Sequence, residues 1–183
     1  MDWEQRLSEL WASFDDQGEE QFLSRMEQLV GELPADNAVG IFERAGSLDS
    51  TGHSDLAVPL YRRALELGLP GQRRRMAVIQ MASSLRNIGH ALESVALLTA
   101  ERGRESDDLD DAVSATLALA LVDVGREREA VSVAVTALSR HMTQYRRSMA
   151  NYAQLLSDSS SPESIPGRTE SGVSRQLLDK EGG

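Results

Sequence analysis

Residues Gln72–Arg102, QRRRMAVIQMASSLRNIGHALESVALLTAER, decide how this chain folds. Apolar residues recur there every three or four positions, stop at Ile88-Gly89-His90, and then resume. That periodicity on both sides of a glycine predicts two helices folded back on each other across a tight turn.

The same unit recurs upstream and downstream. Three turn glycines, Gly52, Gly89 and Gly125, lie 37 and 36 residues apart. Seven residues before each stands Ala (Ala45, Ala82, Ala118), and four before stands Leu (Leu48, Leu85, Leu121). Five and six after stand Ala57-Val58, Ser94-Val95 and Ala130-Val131; nine after come Tyr61, Leu98 and Ala134. Small residues let the two helices of a hairpin approach, while Leu and Val fill the seam around them. A period in the mid-thirties with two helices per unit predicts an all-α chain, an α-solenoid of antiparallel helix pairs with about nine helices.

The flanks fit that array. Trp3, Leu7, Leu10, Trp11 and Phe14 form one stripe of an amphipathic helix, and a second helix is expected over 18–32, capped by Asp15 or Asp16. These form an N-terminal pair over 1–33. The repeats follow at 36–70, 72–104 and 108–140, then a capping helix at 141–157, all within one domain. The Ser/Pro/Gly-rich stretch 158–183 predicts a disordered tail.

At this level the chain resembles the tetratricopeptide repeat family. The resemblance is carried by the small residue in the first helix, the glycine turn, the following Ala, Tyr61, Ala64 and Pro70. The segments SSLRNIG, LALALVDVGREREAV and YRRSMANYAQLL are similar to those of short, stand-alone bacterial members. Glu101 stands where the pattern expects a small residue. The resemblance implies a right-handed solenoid that binds a protein or peptide. It also implies that the first helix of each unit lines a concave face, so that Asp49, Ser50, Ser83, Arg86, Asn87 and Asp123 point into the groove. The Lys/Asn carboxylate clamp of chaperone-binding relatives is not present as a set.

Composition narrows the function. A net charge of −10 disfavours a nucleic-acid binder, whose affinity comes from neutralising phosphates, and disfavours docking on an anionic membrane. The absence of cysteine excludes thiolate metal sites, disulfides and cysteine nucleophiles. MDWEQRLSELW lacks the basic start and apolar run of a signal peptide, so the cytoplasm is the expected location. His53 and His90 follow turn glycines one repeat apart and read as structural junction residues. Asp107–Asp111 reads as helix capping, since it lacks the glycine and distal Glu of a calcium loop. No catalytic or phosphate-cradling motif occurs, so neither an enzyme nor a cofactor is expected.

Residues 73–105 carry six arginines against three acids, with Arg73, Arg74 and Arg75 opening the central unit. This basic middle suits an acidic or C-terminal-carboxylate ligand, with Arg75 and Arg86 as contacts. Alternatively, Arg86 pairs with Asp49 or Asp123 of a neighbouring unit and stiffens the array. At the level of function, an adaptor that is a monomer or weak dimer stands beside a self-associating structural protein.

Overall fold

A computed structural model of the chain describes residues 2–104 and 106–158. The tail expected over 158–183 lies, from residue 159, outside the described residues. The described elements, in chain order, are α1 (Trp3–Ala12), a 3-10 turn (Phe14–Asp16), α2 (Glu19–Val30), α3 (Ala38–Ser50), α4 (Ser54–Glu66), α5 (Gly71–Asn87), α6 (Ala91–Arg102), α7 (Asp110–Asp123), α8 (Glu127–Ser139) and α9 (Arg146–Asp158). Among the described residues there is no strand.

Each helix packs on the next from α3 to α9, and the first helices of the units, α3, α5 and α7, also touch one another. Among the described residues the second helices α4, α6 and α8 make no comparable contact. The array therefore curves with the first helices on its inner side, the arrangement of an α-solenoid.

The three turns share one geometry, which explains their sequence. Gly52, Gly89 and Gly125 take φ of +88°, +86° and +74°, a region closed to most side chains. The N–H of the next residue, His53, His90 or Arg126, then donates back to the carbonyl of Leu48, Leu85 or Leu121, each at 2.8 Å. This is the glycine-terminated helix end in which orphan carbonyls are satisfied by a left-handed residue. The Leu of the sequence pattern is thus the acceptor of the turn as well as a core residue. His53 and His90 serve the turn through their backbone, and the His53 ring lies 2.8 Å from Glu19 Oε1, joining α4 to α2.

Burial follows the pattern. Ala45, Ala82, Ala57, Ser94, Tyr61 and Leu98 are fully buried at the helix crossings. A separate N-terminal cluster joins Leu7, Leu10, Phe22, Met26, Leu29 and Val30. Asn37 caps α3 by accepting the Gly40 N–H at 3.0 Å. The expected Asp15 or Asp16 cap of α2 is not used; those residues form the 3-10 turn, and Gly18 stands at the helix start without a side-chain bond.

The third unit departs from the other two. Val131 is 49% exposed, whereas its counterparts Val58 and Val95 are each 7% exposed. The helix α9 packs on α8 but makes no comparable contact with α7. It packs on α8 as α5 packs on α4 and α7 on α6, and Val131 stays exposed beside it.

Candidate functional site: a groove between α1, α3 and α5

A concavity of about 860 Å³ lies on the inner side between α1, α3 and α5. Each helix offers one stripe to it. Glu4, Leu7, Ser8 and Trp11 share one face of α1 at i, i+3, i+4 and i+7; Phe42, Glu43, Gly46 and Ser50 come from α3; Gln72, Arg73, Met76 and Gln80 come from the first turns of α5. Apolar Trp11, Phe42 and Met76 thus alternate with polar groups, the composition of a site that takes a peptide side chain and fixes its backbone.

Gly46 sets the width of this groove. A Cβ there would stand 3.4 Å from the Trp11 ring, so the indole rests against bare backbone. Phe22 also packs on the indole, with ring centroids 5.2 Å apart. Its N–H donates to Glu43 Oε2 at 2.9 Å. Arg73 completes the connection by donating to Glu43 Oε1 at 3.3 Å and to Glu4 Oε2 at 2.5 Å. The chain Glu4–Arg73–Glu43–Trp11 therefore links all three helices across the opening. Burial pushes the Glu43 carboxyl above its ordinary range, and the bonds from Trp11 and Arg73 oppose that shift.

The arginines opening α5 are engaged within the chain. Arg74 grips Glu101 with two bonds of 2.7 Å, and Arg75 reaches Asp107, Asp110 at 2.8 Å and Glu101 at 3.5 Å. Glu101 is 2% exposed and Arg75 5%. The acidic residue that interrupts the small-residue pattern is thus the buried hub of an ion network joining α5, α6 and the start of α7. Asp107 also accepts the Leu109 N–H at 2.7 Å, so part of the aspartate run helps start α7.

The sequence-selected residues are distributed as follows. Ser50 lines the groove. Asp49 accepts from Ser54 Oγ at 2.8 Å, at the start of α4. Ser83 is half-buried on α5, and Asn87 is exposed at its end. Arg86 donates to Asp123 Oδ2 at 2.7 Å, bringing α5 and α7 together. Arg75 lies in the buried network. Trp11, Glu43, Phe42 and Gln80 escaped sequence reasoning, although the 4, 7, 8, 11 spacing on α1 was a visible signal that part of that helix faces something other than α2.

Helix pairs stacked with their first helices inward around a mixed apolar and polar groove define a helical-repeat interaction protein. The family model described as tetratrico peptide repeat matches residues 38–156, and the chain belongs to that family. Repeats of this family generally act as non-catalytic modules of protein–protein interaction. No curated protein and no solved structure matches the chain. Among the described residues no helix is long and apolar enough to cross a membrane.

Proposed function

We propose that this protein is a non-catalytic scaffold that takes an extended segment of a partner protein along its concave face, seated in the groove between α1, α3 and α5. The observation that carries this reading is the groove itself. It has an aromatic wall at Trp11 and Phe42, a bare backbone floor at Gly46, and donors and acceptors from three helices within one opening. Ser50 belongs to this contact surface, with Asp49, Ser83, Asn87 and the Arg86–Asp123 pair extending the face toward α7. Arg75 takes no direct part in this surface, being buried against Glu101, Asp107 and Asp110.

The groove does not favour an acidic ligand, because Arg73 already faces Glu4 and Glu43. An apolar side chain flanked by backbone amides or a cationic group suits it better.

A peptide-display selection against the full chain, repeated with Ser50→Trp to fill the groove, tests the proposal. Peptides enriched on the wild type are expected to lose at least about tenfold in affinity for the variant. Enriched peptides that bind Ser50→Trp as tightly would remove the groove from the binding surface.

A further inference from the structure

One arginine-lined concavity lies apart from the groove. From Ala130 to Ser157 the sequence contains no Asp or Glu, although the chain as a whole carries a charge of −10. Three arginines of this stretch, Arg140, Arg146 and Arg147, line a pocket of about 390 Å³ between the end of α8 and the start of α9, with Thr136, Ser139 and Ala150 completing the wall.

Elsewhere most arginines face a carboxylate, as Arg44 does Glu27, Arg62 does Glu93 and Arg86 does Asp123. Arg146 and Arg147 are exposed and have no ion-pair partner among the described residues. Among the described residues Arg140 reaches only Asp110, at 3.7 Å, and that carboxylate is already held by Arg75 at 2.8 Å. The neighbouring Asp111 is taken by the His141 ring at 2.7 Å. Arg146 and Arg147 thus bring two exposed cationic side chains to one pocket without a carboxylate partner among the described residues, and planar guanidinium forks match carboxylates with paired bonds.

We propose that this pocket at the α8–α9 junction binds the carboxylates of an acidic protein segment, at a site separate from the groove. A protein ligand is favoured over a nucleic acid because three arginines neutralise few phosphates while the remaining negative charge of the chain repels a polyanion. An acidic ligand expected from the basic composition of residues 73–105 is thereby assigned to a different part of the chain, where Arg146 and Arg147 have no ion-pair partner among the described residues. The pocket adds a second contact to the scaffold reading and does not depend on the groove.

The test uses the full chain and a fluorescein-labelled dodecapeptide of alternating Glu and Ala, with a Gln-for-Glu peptide as control, read by anisotropy at low salt. The Glu peptide is expected to bind at least about tenfold tighter than the Gln peptide. Arg146→Gln/Arg147→Gln should reduce its affinity by about ten- to a hundredfold, with the thermal midpoint unmoved because neither guanidinium has an ion-pair partner among the described residues. The same double variant should keep its response to groove peptides, so failure here and failure of the groove reading are separately visible. Equal binding by the variant, or equal binding of the Gln peptide, overturns the proposal. Inorganic phosphate binding more tightly than the Glu peptide would assign the pocket to a small anion and overturn it as well. Self-association of the wild type abolished in the double variant would assign the pocket to the acidic helices of a second copy, again against the proposal.

Discussion

The indole N–H of Trp11 donates to Oε2 of Glu43 across 2.9 Å, tying α1 to α3 at the opening of the groove. The acceptor is a carboxylate that burial disfavours in its charged form. Its pKa is raised above the ordinary value, so the folded chain holds this proton more tightly than the unfolded chain does. The associated stability is fully present below the unfolded pKa and is lost as pH rises through the folded one. Glu43→Gln keeps a carbonyl for Trp11 and removes the ionisation. The variant is expected to melt above the wild type at pH 7 and together with it near pH 4. A variant that melts several degrees lower at pH 7 would show that pairing with Arg73 outweighs the burial cost.

Glu101 gives a second, sharper outcome. Replacing it with Ala restores the small residue of the repeat pattern, yet it strips buried Arg75 and half-buried Arg74 of a shared carboxylate. Breaking a buried pair from one side costs about 3–5 kcal/mol, so Glu101→Ala should be strongly destabilising in urea unfolding. The triple change Arg74→Met, Arg75→Met, Glu101→Ala should recover much of that loss. A neutral Glu101→Ala would mean that the network contributes nothing.

Arg86 and Asp123 are 22% and 35% exposed at their side chains, in a solvent-screened pair between adjacent units. A double-mutant cycle with Arg86→Ala and Asp123→Ala should return a coupling of about 0.2–1 kcal/mol. No coupling at low salt would show that the pair contributes nothing to the stacking of the units.

The helix crossings should tolerate little change of size. Ala82 is fully buried in a cluster with Val95, Leu98, Leu117 and Leu121. Ala82→Leu is expected to cost about 1–3 kcal/mol through overpacking, and Leu85→Ala about 2–5 kcal/mol through the cavity it leaves. Calorimetry that finds Ala82→Leu neutral would contradict the close approach of α5 to its neighbours.

What the sequence made legible is what local chemistry dictates. A left-handed turn needs glycine, and a Leu four residues earlier both receives the turn's hydrogen bond and fills the core, so Gly52, Gly89 and Gly125 fixed the hairpins. The network around Glu101 was not legible because Arg74 lies 27 residues away, and only the folded pair of helices brings them together. The groove was hidden for a different reason. Trp11 reads as a core residue by periodicity, and its actual place depends on the gap that α1 leaves beside α3 and α5. The third unit shows the same limit: Val131 matches Val58 and Val95 in register, but its exposure depends on where α9 packs.

Two indole N–H signals allow the most direct measurement of segment binding in the groove. Trp11 faces the groove through Glu43, whereas Trp3 donates to the Leu29 carbonyl at 2.9 Å between α1 and α2 and serves as an internal control. Titrating a display-selected peptide into the isotope-labelled chain should shift the Trp11 indole resonance while the Trp3 resonance stays in place. Saturation with both indole signals unmoved, or with Trp3 alone moving, would contradict binding between α1, α3 and α5.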